Sequence, residues 1–233
     1  MSPPSSSLPL YIQIAERLIR DIAAGRLIDG ARLPPERDLA AQMNTTVTTL
    51  RKSLDVLVDK GLLQRVQGSG NYIKHNKSVL SLYSMFRLEL PSGGGLPTAQ
   101  VQSVSRVAKP ADHPLISDSL EVTCIKRHRY LDDQFIALEE IWLDGRAGHL
   151  GPQDVSDSLY HTYSTQLGLW ITRAEDRVRL ARRPDMAPAA FAPEHRDLLG
   201  YIERLSWAQD DTPIEFSRTW FDPMRAVYIQ RLS

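Results

Sequence analysis

Between residues 33 and 73 two short amphipathic stretches stand about four residues apart, and two alternating stretches around Gly68-Ser69-Gly70 follow at once. Few folds accept that order. Pro34-Pro35-Glu36-Arg37-Asp38 opens the first stretch. Proline has no N–H to lose in a first helical turn, and acidic side chains favour the positive end of the helix dipole. Leu39 and Met43 then share a face. Thr45 or Thr46 caps the second stretch; Val47, Leu50, Leu54, Leu57 and Val58 form its apolar stripe, and Gly61 ends it. Its opposite face offers Thr48, Thr49, Arg51, Lys52 and Asp55. Two short helices, the second polar and basic on its free side, meet the requirements of a helix-turn-helix. The second helix of that motif lies in the major groove of DNA, its early residues at base edges and its cations at phosphates. Leu62 to Ile73 reads as a hairpin, with Arg65 and the glycine tip able to approach a phosphate or the minor groove.

A further helix precedes these. It opens on Pro9, carries Leu10, Ile14, Leu18 and Ile22 every four residues with Tyr11 and Ala15 beside them, and stops at Gly25. Met1 to Pro9 are rich in Ser and Pro, without the basic start and apolar core of a signal peptide, and read as a disordered arm. The division expected is an arm over 1–8, a DNA-binding head over 9–75, a linker over 76–80 and a second domain over 81–233. Charge follows the same division. Residues 1–78 hold 11 Lys and Arg against 7 Asp and Glu, while residues 79–233 hold 17 against 21, so only the front end suits a polyanion.

Cys124, the one cysteine, excludes an intramolecular disulfide and a Cys-pair zinc site, in keeping with a reducing compartment. No apolar run approaches the roughly 20 residues that span a bilayer, so no membrane partner and a cytoplasmic location are expected. The six histidines are scattered without metal-ligand spacing, no Gly-x-Ser-x-Gly elbow occurs, and neither cofactor nor metal is expected. Gly93-Gly94-Gly95 suits a ligand loop or a flexible connection.

The rear of the chain mixes strand patterns with little helix. Ala99 to Val107 alternates; Leu120 to Leu131 and Gln134 to Leu143 read as strands about an Asp132-Asp133 turn. Val155 to Leu167 reads as a helix, with Leu159, Tyr163 and Leu167 on one stripe and Gly168 as its stop. Ile171 to Ala181, Tyr201 to Gln209, Ile214 to Phe221 and Ala226 to Leu232 are further strands. Adjacent hairpins with few crossover helices imply a mainly antiparallel sheet covered on one side, and an α+β chain overall.

Within this part, Arg127 and Arg129 fall on one strand face, about 7 Å apart. Two guanidinium groups so placed make a fork for a carboxylate or phosphate; a surface salt-bridge ladder is the other reading. Whether Glu139 joins them depends on the turn. A three-residue loop sets Arg127 opposite Glu139, and a two-residue loop sends Glu139 to the other face.

Leu33-Pro34-Pro35-Glu36-Arg37-Asp38-Leu39-Ala40, Thr48-Thr49-Leu50-Arg51-Lys52-Ser53-Leu54, Gly61-Leu62-Leu63 and Gly68-Ser69-Gly70 together resemble the DNA-binding domain of the GntR family of transcriptional regulators. The resemblance covers residues 8–75. It implies DNA contacts from Arg37, Thr48, Thr49 and Arg51, and from the wing around Gln67-Gly68; Lys52 and Arg65 join them from the helix and hairpin patterns. Where the family has Ser-Arg before Thr-Thr this chain has Thr46-Val47, so a backbone-contacting arginine has no counterpart. Arg127, Arg129, Glu139 and Pro213-Ile214-Glu215, with an aromatic at Phe221, resemble the UTRA effector domain of the HutC-type branch, whose fold is like chorismate lyase. That resemblance implies an anionic group held by Arg127 and Arg129 near Ser158 and Tyr160, and hydroxyl or amide groups held by Glu139 and Glu215. Phe221 stands where many relatives have tyrosine, and Ser81 belongs to a segment that fits the family's entry motif poorly.

The expectation is a homodimeric regulator, a repressor in sense, that leaves a palindromic double-stranded DNA operator when a small anionic metabolite binds. The alternative is an enzyme acting on a small carboxylate through a chorismate-lyase-like domain.

Overall fold

A computed structural model describes residues 9–230, apart from positions 24, 77–85, 96, 115, 117, 118, 157 and 192–197. The expected arm over 1–8, Ser81 and most of the expected linker lie outside the described residues. What is described divides into two compact units, one within Leu8–Arg87 together with the residues from Ile229 on, and the other within Leu88–Tyr228.

The front unit runs α1 (Leu10–Ala23), α2 (Glu36–Gln42), α3 (Val47–Asp59), β1 (Leu63–Val66) and β2 (Gly70–Ile73). Ile14, Leu18, Ile19 and Ile22 of α1 pack on Leu39 of α2 and on Leu50, Leu54 and Leu57 of α3, with Leu62, Leu63 and Ile73 closing the core. The buried arc is displaced from the expected stripes at two points. Leu10 lies in the first turn of α1 and Val58 at the last turn of α3, and both are substantially exposed. Thr46 is the cap of α3, its Oγ1 accepting from the Thr49 N–H at 3.1 Å. Gly61 ends that helix in the left-handed region at φ +67°, where a side chain would be strained. Residues 30–33 run antiparallel beside β2, bridging to it at Arg32 and Tyr72. The Gly30 and Leu33 N–H groups donate to the carbonyls of Ile73 and Asn71, and the Ile73 N–H donates to Ala31.

In the rear unit β4 (Pro97–Ala108), β5 (Glu121–Leu131), β6 (Gln134–Asp144), β7 (Ile171–Arg182), β8 (Leu198–Ala208) and β9 (Pro213–Phe221) form one antiparallel sheet in the order β4-β5-β6-β9-β8-β7. A two-stranded ribbon pairs β3 (Leu88–Glu89) with β10 (Val227–Tyr228). The strand expected over Ala226–Leu232 is therefore short, and β3 is an element that the alternation did not mark. The expected helix over Val155–Leu167 starts later. Ser158 caps α4 (Leu159–Thr162), which widens into a π-turn over Tyr163–Leu167 and ends on left-handed Gly168.

Both sheet faces are covered, not one. On one face Trp142 and Phe216 pack with Ile116, Val122 and Cys124, while Leu138, Leu199, Tyr201 and Trp220 pack under Phe191. The other face receives Tyr160 and Tyr163 from α4 and the following turn, whose hydroxyls bond to Arg204 and Glu215.

The β5–β6 connection departs from the expected rule. The loop is the two-residue one, Asp132 and Asp133 both at positive φ as a tight hairpin turn requires. Even so, Arg127 faces Glu139. Tyr130 pairs with Phe135 but Arg129 pairs with Ala137, so Ile136 is an extra residue on β6. This β-bulge shifts the register by one and returns Glu139 to the arginine face.

Candidate functional site

In the front unit the first turn of α2, the free face of α3 and the hairpin carry the residues expected to meet DNA. Arg37, Thr48, Arg51, Lys52, Arg65, Gln67 and Gly68 are exposed, and Thr49 is half-buried. Gly68 sits at φ +73° with open space where a Cβ would stand, so the tip of the wing has no bulk. Val47 packs partly against the core, which accounts for an apolar residue at that place. Two of the basic side chains are paired with acids. Arg51 donates from Nε to Glu36 at 2.6 Å, and Arg65 pairs with Asp55 at 2.7 Å. The Arg51 hydrogen bond holds the Glu36 carboxyl below its usual range, against a smaller opposing effect of burial. Gly70 lies under Arg32, whose Nε would be 3.1 Å from an added Cβ.

The rear unit holds a buried polar cluster on the α4 side of the sheet. Successive rungs read across β5, β6, β9 and β8: Arg129-Ala137-Phe221-Gly200, then Arg127-Glu139-Thr219-Ile202, then Ile125-Ile141-Ser217-Arg204, then Thr123-Leu143-Glu215-Ser206. Arg127 and Arg129 are both about 5% exposed. Arg127 donates to Glu139 from Nε and Nη2 at 3.1 and 2.6 Å, and Arg129 Nε stands 3.8 Å from the other Glu139 oxygen. Burial by itself raises a carboxyl's pKa. The Arg127 and Arg129 charges and the Arg127 hydrogen bonds outweigh it, and Glu139 is held below its ordinary range.

Glu215 is treated in the opposite way. Its oxygens accept from the Tyr163 hydroxyl at 2.6 Å and the Ser206 hydroxyl at 3.0 Å, while burial, the larger effect, raises its pKa. Its oxygens keep further lone pairs, which suits a hydroxyl or amide N–H partner. Tyr160 donors and acceptors reach the same floor: Arg204 Nη1 donates to its oxygen at 3.4 Å. Arg204 is itself forked onto Asp176 at 2.6 and 2.7 Å, and Tyr228 donates to Asp176 at 2.7 Å.

Of the expected ligand residues, Arg127, Arg129, Glu139, Tyr160 and Glu215 share this face. Phe221 shares it as an apolar member, its ring filling the space above Gly200. Ser158 is occupied in capping α4, its Oγ accepting from the His161 N–H at 3.4 Å. Arg204, Asp176, Tyr163, Ser206 and Tyr228 were not anticipated. Charges on β7 and β8 fall on both faces, Glu203 beside Arg204 and Glu175 beside Asp176, so alternation gives no sign of which face is inward. Among the described residues no cluster of His, Cys, Asp and Glu could hold a metal ion.

Comparison with known proteins bears on both units. The family pattern described as "Bacterial regulatory proteins, gntR family" matches residues 10–73, and the UTRA domain pattern matches residues 94–226. The chain is 50% identical, over the whole of both chains, to the HTH-type transcriptional regulator SmoD of Agrobacterium fabrum. It is 28% identical to the mannosyl-D-glycerate transport/metabolism system repressor MngR of Escherichia coli, over 92% of each chain. Among solved structures it resembles the possible transcriptional regulator YydK of Bacillus subtilis, at 22% identity and a TM-score of 0.55 over 97% of this chain and all of that one.

Proposed function

The chain belongs to the GntR family of bacterial regulators, a DNA-binding head followed by a UTRA domain, and on that premise we propose that it is a repressor released from its operator by a small hydroxylated anion. The observation that carries this reading is the buried polar floor of the six-stranded sheet. Burying a guanidinium costs several kcal/mol unless it is well paired, and apolar residues would fill the same space at less cost. Arg127, Arg129 and Arg204 stand there together, with Glu139, Asp176 and Glu215. Such a floor is suited to recognition. Arg127 and Arg129 take the anionic group, with Ser158 and Tyr160 nearby; Glu139 and Glu215 take hydroxyl or amide groups, and Phe221 packs against the ligand's apolar side. The name of the relative MngR concerns mannosyl-D-glycerate, a carboxylate joined to a sugar. A ligand of that kind, anionic at one end and rich in hydroxyls at the other, matches this set of donors and acceptors.

The working unit is a cytoplasmic homodimer whose two heads meet a palindrome, because one such head reads too few base pairs for high specificity. Effector binding favours an arrangement of the heads that no longer fits adjacent half-sites, and operator affinity falls by the coupling free energy. The test pairs a duplex enriched from random sequence by the protein with a panel of sugar acids and sugar phosphates. Binding to the duplex should weaken steeply with salt, and one class of anion should release it. Arg127→Ala and Arg129→Ala should each weaken that release about tenfold to a hundredfold without altering operator affinity. Normal release in both variants places the pocket elsewhere.

A further inference from the structure

An acid on a DNA-reading surface repels phosphates, so Glu36 calls for an explanation. It stands half-buried in the first turn of α2, and its two oxygens serve different elements. Oε2 accepts the Arg51 Nε–H at 2.6 Å, and Oε1 accepts an amide N–H of Asn71 at 3.3 Å. Asn71 is buried on β2, whereas Arg51 projects from α3 with 64% of its side chain exposed. One carboxylate thus ties the start of α2 and the base of the wing to a cation on the helix that enters the groove.

The way Arg51 is held is informative. A guanidinium is a planar fork with donors on more than one edge. Glu36 engages the Nε edge, and neither Nη makes a hydrogen bond among the described residues. The backbone beneath is also restrained: the Arg51 carbonyl accepts a long contact from Arg65 Nη2 at 3.5 Å, and Arg65 is anchored on Asp55. Guanine offers O6 and N7 in the major groove, a pair of acceptors that a forked donor satisfies together. An unrestrained arginine surrenders rotamer freedom on docking and can settle on a neighbouring phosphate. One already held in plane surrenders less and has its direction fixed.

We propose that Glu36 is a positioning residue for base reading: by gripping the Nε edge of Arg51 it aims the Nη edge at one base pair. Its effect is therefore local in sequence. A carboxylate that only competed with phosphate for Arg51 would act on every DNA sequence alike.

The test uses the full chain with a duplex enriched from a randomised pool by the wild-type protein, all its single-base-pair substitutions, and an unrelated duplex of equal length. Dissociation constants are measured at two salt concentrations for wild type, Glu36→Gln, Glu36→Asp, Arg51→Ala and the Glu36→Gln/Arg51→Ala double variant. Arg51→Ala should lose discrimination at one position, and at its symmetry mate if the site is a palindrome, by about five- to a hundredfold. Glu36→Gln should lose discrimination at that same position, and adding it to Arg51→Ala should change nothing more there. Glu36→Asp keeps the charge but withdraws it by one methylene, and should discriminate as poorly as Glu36→Gln; it carries the test if Glu36→Gln does not fold. Affinity for the unrelated duplex should move less than about twofold. Three results overturn the proposal: tighter binding of Glu36→Gln to all duplexes with a steeper salt slope, unchanged discrimination, or wild-type discrimination by Glu36→Asp.

Discussion

Replacing Arg127 by alanine strands the Glu139 carboxylate. The two side chains are 5% and 12% exposed, joined by two hydrogen bonds of 3.1 and 2.6 Å, and Arg129 at 3.8 Å is too distant to take over the same oxygen. Breaking a buried pair from one side costs about 3–5 kcal/mol, because the remaining charge stays desolvated. For a domain of this size each kcal/mol shifts the midpoint by about 2–4 °C, so Arg127→Ala should melt roughly 6–20 °C below wild type. Replacing all three charged members by apolar residues of similar size, Arg127→Met and Arg129→Met with Glu139→Leu, should recover most of that loss, since none of these three charges is left buried. Acid gives an independent reading. The folded pKa of Glu139 is depressed, so its contribution is present above the unfolded carboxylate pKa near 4.3 and is lost as pH falls through the lower folded value. Melting followed by circular dichroism from pH 7 down to pH 3 should therefore show the gap between wild type and Arg127→Ala narrowing as acid is added. Equal melting of Arg127→Ala and wild type at pH 7, or a triple variant no better than the single one, would refute the reasoning, because the pair would then be relaxed by solvent.

Three further outcomes are expected. Glu215→Gln keeps the shape of a carboxyl whose pKa is raised by burial; the contribution of such a group is full below its unfolded pKa and fades as pH rises through the folded one, so the variant should gain on wild type in melting scans from pH 4.5 to pH 8. Gly200→Ala would bring a Cβ to within 2.2 Å of the Phe221 ring and should cost about 1–3 kcal/mol in denaturant titrations, with Phe221→Leu in the same chain restoring part of it. Thr46→Ala removes the hydroxyl that caps α3 and should cost about 1 kcal/mol, seen as faster amide exchange in the first turn of that helix.

The elements of the head were legible in the sequence because their causes are local. Pro35 beside an acidic first turn, Thr46 as a cap, Gly61 at positive φ and the apolar repeat through Leu50, Leu54 and Leu57 each act within a few residues. The paired arginines of β5 were legible for a similar reason, since period two alone puts Arg127 and Arg129 on one face. What those arginines meet was decided by the tertiary structure. A two-residue turn taken by itself sends Glu139 to the wrong side, and only the bulge at Ile136, a property of two strands in register, returns it. Glu215 and Arg204 arrive because β9 pairs with β6 across about seventy intervening residues and β8 follows it. Asp176, Tyr163 and Tyr228 come from three further segments whose local patterns give no inward sign. Residue type and spacing thus fixed the helices and the likeness of each unit. The chemistry of the buried polar floor depends on strand order and register, which are set by the sum of long-range pairings and have no signature in any one segment.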